Sequence, residues 1–193
     1  FVMKSKKVVL ASTSPRRREL MKYLGVHFVC VSPKDVDETI DACDLENELM
    51  RLAVKKCKSI SDIYPDSVTI GADTVVVLDN EILGKPINRA EAKAFLKRLS
   101  GKTHIVYTGV ALLFPGNEEI TFVEKTFVTF RDLPDDAIDY YVATGIPLDK
   151  AGAYGIQDYG ALFVKEIRGD FYNVMGLPIG RIWEILRNRG YYD

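Results

Sequence analysis

Val68-Thr69-Ile70-Gly71-Ala72-Asp73-Thr74-Val75-Val76-Val77-Leu78-Asp79-Asn80-Glu81-Ile82-Leu83 reads as a long apolar strand, a tight turn at Asp79-Asn80 and a short second strand. A strand that doubles back on itself is an antiparallel pair. On its N-terminal side, residues 46–60 carry apolar side chains at helical spacing; on its C-terminal side, residues 90–99 read as a helix with Asn88 as cap and Gly101 just past the end. Further out, residues 8–11 form a short apolar strand, and residues 15–24 a helix closed by Gly25. Residues 27–31 look like another strand. Residues 104–114 and 120–130 read as two strands joined by Pro115-Gly116-Asn117, a second hairpin signal. A helix over 134–144 stops at Gly145, a strand covers 161–167, and a last helix over 179–188 is ended by Gly190. Two hairpins among alternating strands and helices predict an α/β or α+β domain around a mixed sheet with flanking helices; a fully parallel sheet fits less well.

The 193 residues hold 26 Lys+Arg against 27 Asp+Glu, a formal net charge of −1, with 47% hydrophobic and 27% charged residues. That balance excludes a disordered tail, a disulfide-rich scaffold and a collagen-like or coiled-coil rod. It also argues against a protein whose whole surface binds nucleic acid, which needs an excess of Lys and Arg. A chain of this length buries about 70% of the surface it exposes when unfolded, enough for one full core without staples. The near-zero charge is a cancellation. Residues 1–25 hold seven Lys/Arg and one Glu, whereas residues 26–50 hold one Lys and seven Asp/Glu.

Cys30, Cys43 and Cys57 form no CxxC pair, and an odd count without metal-like spacing reads as reduced thiols in the cytoplasm. No apolar run approaches the roughly 18 residues of a membrane span, so neither a membrane nor nucleic acid is an expected partner. Residues 8–11 are too short for the core of a signal peptide. Phe1 in place of Met makes residues 1–7 an expected disordered or added start.

Chemistry concentrates at four places. In Leu10-Ala11-Ser12-Thr13-Ser14-Pro15-Arg16-Arg17-Arg18-Glu19, a strand enters a hydroxyl-rich turn with Ser14 as N-cap and Pro15 at the first helical position. Three arginines beside the positive end of a helix are the wrong sign for stability, by about 0.3–1 kcal/mol for a charge of that kind. A phosphate group would reverse the sign, and the site is read as favouring one over a solvated basic face.

Asp73 interrupts an apolar strand, where a carboxylate is costly unless it is paired or binds a metal, and Gly71 admits close approach to the backbone. Thr74 beside it, and Gly84-Lys85-Pro86 after the next strand, shift the reading from a structural aspartate towards metal or water activation, with Lys85 suited to phosphate.

Asp35-Val36-Asp37-Glu38, with Lys55-Lys56 on the following helix, is either a solvated loop or a carboxylate source for Mg²⁺. Finally, Pro147-Leu148-Asp149-Lys150-Ala151-Gly152-Ala153-Tyr154-Gly155-Ile156-Gln157 joins an acid and base to a glycine-spaced loop. Gln157 there suits a nucleobase edge, while Asp149-Lys150 reads equally as a surface ion pair. His27 and His104 fit no metal or triad spacing and read as structural. GxSxG, HExxH and a complete P-loop are absent.

With these pieces in order, the chain resembles the Maf family of nucleoside triphosphate pyrophosphatases from Val8 to about Leu186. The resemblance is carried by residues 10–17, Ile70-Gly71-Ala72-Asp73-Thr74, Leu83-Gly84-Lys85-Pro86 and Leu99-Ser100-Gly101-Lys102-Thr103-His104. Residues 149–157 and Asn173-Val174-Met175-Gly176-Leu177-Pro178 complete it. It implies one Maf-like domain over residues 1–193 with an inosine-triphosphatase-like fold, a mixed twisted sheet in two lobes around a cleft, commonly as a homodimer. The implied reaction cleaves a nucleoside triphosphate to the monophosphate and pyrophosphate with Mg²⁺ or Mn²⁺.

Residue by residue, the resemblance makes Asp73 the proton acceptor and a metal ligand. Arg16, Thr74 and Gln157 fall at positions linked to substrate choice, and Ser12, Arg17, Glu38, Lys56 and Lys85 line the phosphate and metal site. Glu38 is the second metal ligand, with Asp37 as the alternative. The form of residues 149–157 is similar to the dTTP/UTP branch, which also takes modified pyrimidines. A 7-methyl-GTP hydrolase and a nucleotide-binding regulator of cell division are the competing readings. Asp158 stands where the family commonly has Gly.

Overall fold

The computed structural model describes residues 7–193, so of the expected disordered or added start only Lys7 is among the described residues. β1 (Val8–Leu10) leads into α1 (Pro15–Met21), followed by β2 (Phe28–Cys30) and α2 (Leu45–Ser61). β3 (Val68–Leu78) turns into β4 (Glu81–Leu83) and is followed by α3 (Arg89–Leu99). β5 (Thr103–Leu113) and β6 (Glu119–Phe130) precede α4 (Asp135–Ala143); β7 (Val164–Arg168), α5 (Phe171–Val174) and α6 (Ile179–Asn188) complete the chain. No helix among the described residues is long and apolar enough to cross a membrane.

Seven strands form one mixed sheet in the order β2-β1-β3-β5-β6-β7, with β4 on β3. β1 runs parallel to both neighbours, Val8 facing Phe28 on one side and Val68 on the other. β3 and β4 are antiparallel, with Val76 opposite Leu83, and the turn residues Asp79 and Asn80 sit at φ 50° and 64°, the left-handed pair a tight hairpin needs. β6 and β7 are antiparallel with an irregularity at Thr129/Phe130. The mixed α/β sheet with flanking helices is therefore present as the sequence predicts.

The chain divides into two compact units. One comprises the described residues up to Asp73 with Thr108–Glu124 and Gly176–Asp193; the other comprises Thr74–Tyr107 and Lys125–Met175. Within the first, Val9, Ala11 and Ile60 pack together, and Ala53 and Cys57 pack on Ala111 and Leu113. Burial in that second cluster pushes the Cys57 thiol up to about 12. Within the other unit, side chains from β3, β4, α3, β5, β6 and α4 form a larger core. His104 belongs to it, fully buried, with Nε2 2.6 Å from the Tyr154 hydroxyl and its ring edge-on to Phe130. Burial pushes its pKa down to about 3, so the imidazole is neutral, consistent with a structural histidine.

Two segments differ from the sequence reading. The strand expected over 161–167 begins only at Val164, because Tyr159–Leu162 winds into a 3₁₀ turn. The Asp158 carboxylate accepts the Gly160 N–H, and Ala161 N–H bonds back to the Asp158 carbonyl, so these amides are unavailable for a strand ladder. The four-residue α5 was not expected. The Asp170 side chain nucleates it by accepting the N–H groups of Tyr172 and Asn173.

Candidate functional site

α2 buries Leu49, Leu52, Ala53, Lys56, Cys57 and Ile60, a stripe at three- and four-residue spacing. One member of that stripe is a lysine, so its ammonium needs a partner inside the fold. β3 supplies it. Gly71 lets the helix backbone come so close that a Cβ at that position would lie 2.5 Å from the Ala53 carbonyl oxygen. Two residues further along the same strand face stands Asp73; one helical turn beyond Ala53 stands Lys56. The Lys56 Nζ is 2.7 Å from Asp73 Oδ1 and 3.4 Å from the Ala72 carbonyl oxygen. The aspartate that interrupts the apolar strand is thus a paired group, met by a lysine that interrupts an apolar helix face.

The same ammonium takes a second carboxylate, Glu38 Oε1, at 2.9 Å. Glu38 comes from the acidic segment after β2, which is fastened to α2 by Lys34 N–H donating to Ser59 Oγ and Arg51 Nη2 donating to the Thr39 carbonyl. Asp37, the alternative in the sequence, is used locally. Its Oδ1 accepts both the backbone N–H and the hydroxyl of Thr39, which hold its pKa below the usual carboxylate range. Glu38 is therefore the member of the acidic pair that joins Asp73. Among the described residues no three His, Cys, Asp or Glu side chains gather as a metal-binding group.

The turn from β1 into α1 takes the predicted form. Ser14 caps the helix by accepting the Arg17 N–H, Pro15 opens it, and the buried Ser12 Oγ accepts the Ser14 N–H. No acidic residue stands in the first turn. Arg17 Nε donates to the Gly176 carbonyl at 2.7 Å, which fixes a guanidinium beside the carboxylates. Burial holds its pKa below the ordinary arginine value; Asp73 opposes that shift, Arg16 adds to it and Glu38 opposes it. Within this unit Arg17, Glu38, Lys56 and Asp73 are brought together electrostatically, with Ser12 and Arg16 on the adjoining turn.

Thr74, Lys85 and Gln157 belong to the other unit. Thr74 is half-buried next to Asp73 in β3, while Lys85 and Gln157 are exposed. The segments bearing these last two are tied together, since Gly152 N–H donates to the Gly84 carbonyl at 3.1 Å. Gly152 sits at φ 68°, and a Cβ there would press to 2.7 Å from Val76 Cγ2, so the loop closes on β3 only with glycine at this position. Lys150 is buried, so Asp149-Lys150 is more than a surface ion pair. Its Nζ donates to the Ile146 carbonyl at 2.8 Å and to Asp149 at 2.9 Å, and lies 3.7 Å from Asp158 Oδ2.

Sequence reasoning missed Arg51, the Gly176 carbonyl and Tyr141, each of which holds a segment of the candidate site through a long-range contact. A basic residue in α2 and an aromatic residue in α4 were visible, but nothing local marked their partners.

A family model described as Maf-like protein matches residues 7–189. The chain is 49% identical over 185 residues to a protein of Symbiobacterium thermophilum named dTTP/UTP pyrophosphatase, spanning 95% of this chain and 94% of that one. It is 51% identical over 178 residues to a protein of the same name from Bacillus cytotoxicus, 92% of each chain being covered. The solved structure of the Staphylococcus aureus Ham1 protein superposes with a TM-score of 0.58 at 15% identity, covering 95% of this chain and 100% of that one. This last likeness concerns the fold alone, which is of the Ham1 kind.

Proposed function

The chain belongs to the Maf family, and from that premise we propose that it is a nucleoside triphosphate pyrophosphatase acting on dTTP, UTP and related pyrimidine nucleotides. The observation that carries this reading is the near-full-length likeness, at about half identity, to two proteins named for that activity. The arrangement of Arg17, Glu38, Lys56 and Asp73 supports it, because a triphosphate needs fixed positive charge and a carboxylate at the same place.

Each residue then has a task. Arg16, Arg17 and Lys85 hold phosphate oxygens, with Ser12 contributing its hydroxyl. Lys56 orients the Asp73 carboxylate through their 2.7 Å contact. Asp73 accepts the proton of the water whose oxygen bonds to the α-phosphorus, while the bond from that phosphorus to the bridging oxygen breaks and pyrophosphate leaves. Thr74 and Gln157 select the substrate, Gln157 by offering both a donor and an acceptor to the base edge.

Asp73 and Glu38 fit a divalent ion, since Mg²⁺ binds through one or two carboxylates together with phosphate oxygens, and in this structure the two carboxylates already share one cation. Bound there, Mg²⁺ or Mn²⁺ would supply neutralisation of the charge building up on the phosphate oxygens. The reading includes a homodimer and a cytoplasmic setting; the three free cysteines support the latter.

The deciding experiment is pyrophosphate release across dTTP, UTP, 7-methyl-GTP and the common purine triphosphates with Mg²⁺ or Mn²⁺, using wild type and Asp73→Ala. Selective release from pyrimidine nucleotides, lost in Asp73→Ala, is expected. Preference for 7-methyl-GTP, or no release from any nucleotide, would overturn the reading.

A further inference from the structure

The segment bearing Gln157 is organised around an acid that has no role in the reaction described above. The Asp158 side chain is 19% exposed, and its Oδ1 accepts the Tyr141 hydroxyl at 2.6 Å and the Gly160 N–H at 2.9 Å. Its Oδ2 faces Lys150 Nζ at 3.7 Å. The Tyr141 hydroxyl in turn accepts the Gly155 N–H at 3.0 Å. A Cβ at position 155 would lie 2.3 Å from Asp158 Oδ2, so the carboxylate fills the space that glycine leaves.

These contacts bracket Ile156 and Gln157. Gly155 lies two positions before Gln157, while Asp158 and Gly160 lie one and three positions after it. Both flanks are tied to Tyr141, a fully buried side chain on α4, and through Asp158 to the buried Lys150. Gln157 itself is exposed. Its side chain has three rotatable bonds, so where its amide meets a ligand depends on how firmly its own backbone is held. A backbone fixed beforehand loses less freedom on binding and places donor and acceptor in one register. Asp149, the other acid on Lys150, is 64% exposed and pairs with it at 2.9 Å.

We propose that Asp158 is a positioning residue which, with Tyr141 and Lys150, fixes the backbone on both sides of Gln157 and thereby sets the nucleobase preference. The proposal rests on the reading of Gln157 as the side chain that meets the base. The alternative is that Asp158 serves only as counter-charge to a buried lysine, which would affect stability and leave selectivity untouched.

The test compares wild type, Asp158→Ala, Asp158→Asn, Tyr141→Phe and Gln157→Ala. It measures kcat and KM for UTP, dTTP and 7-methyl-GTP, melting temperature, and amide hydrogen exchange at Gly155 and Gly160. Asp158→Ala and Tyr141→Phe should raise KM for UTP and dTTP roughly tenfold with kcat within about twofold, the loss of about one well-placed hydrogen bond. Their pyrimidine over 7-methyl-GTP ratio in kcat/KM should fall towards that of Gln157→Ala, with faster exchange at Gly155. Asp158→Asn, which keeps an acceptor for Tyr141 and Gly160, should fall between them and the wild type; with Tyr141→Phe it keeps the test open should Asp158→Ala not fold.

A lower melting temperature with an unchanged selectivity ratio in Asp158→Ala and Tyr141→Phe, while Gln157→Ala alters that ratio, overturns the proposal by itself. A wild type that releases no pyrophosphate, or a Gln157→Ala variant of unchanged selectivity, overturns the reading on which it rests.

Discussion

Lys56→Met keeps the buried stem of the side chain and removes only the ammonium that two carboxylates share. Asp73 is 15% exposed and Lys56 8% exposed, so their contact at 2.7 Å is screened little by water. Glu38 is 62% exposed and regains solvent when released, so its share of the loss is small. Removing one partner of a buried pair typically costs 3–5 kcal/mol, and the partly open edge of Asp73 with Arg17 near it places this case at about 3 kcal/mol. For a chain of this size that corresponds to a fall of about 6–12 °C in melting temperature. Mg²⁺ should restore part of it, because a divalent ion would replace the missing cation between Asp73 and Glu38. Thermal melts of wild type and variant, with MgCl₂ and with NaCl at matched ionic strength, measure both effects. A melting temperature within about 2 °C of wild type, less than 1 kcal/mol, would refute the argument that the ammonium holds the two acids. An equal Mg²⁺ shift in the two proteins would remove the ion from that pair.

Asp73→Asn should retain the fold and lower turnover by roughly 10²–10⁴, the usual contribution of a positioned base; steady-state pyrophosphate release near the wild-type rate would exclude Asp73 from the proton transfer. His104 is pushed down to about 3 from an ordinary 6.5, so the unfolded chain binds the proton more readily between those values. Its contribution to stability is complete above pH 6.5 and is lost as pH falls towards 3, by about 1.4 kcal/mol per unit. Urea unfolding at a series of pH values should show this slope, and His104→Gln should flatten it. Gly71→Ala would set a methyl 2.5 Å from the Ala53 carbonyl oxygen and 2.9 Å from Cys57 Sγ. Moving α2 off β3 should cost about 3 kcal/mol and lengthen the Lys56–Asp73 contact, read as a lower urea midpoint together with reduced turnover.

Most of the secondary structure was legible because each element carried its own punctuation. Asn88 caps α3 by accepting the Glu91 N–H, Asp79-Asn80 adopts the left-handed pair of a tight hairpin, and Gly25 ends the α1 segment at φ 64°. The strand read over 161–167, which starts three residues late, fails for a reason outside its own residues. The Asp158 carboxylate that turns Tyr159–Leu162 is itself held by Tyr141, 17 residues earlier.

The candidate site divides in the same way. Residue types were readable wherever they violated their local pattern: arginines at the positive end of a helix, an aspartate inside an apolar strand, a run of acids before an amphipathic helix. Pattern violations mark groups that need a partner, since an unpaired buried charge or an unopposed like charge is unfavourable in any fold. Which partner answers which group is a property of packing. Lys56 meets Asp73 because Gly71 lets α2 settle on β3, and Glu38 rather than Asp37 joins them because Thr39 already occupies its neighbour. Composition gave a charge near zero, and sequence alone showed that this cancels a basic segment against an acidic one. Only the tertiary structure decided that the acidic segment reaches that aspartate through one shared lysine, because contact between residues 38, 56 and 73 depends on distances that spacing along the chain does not encode.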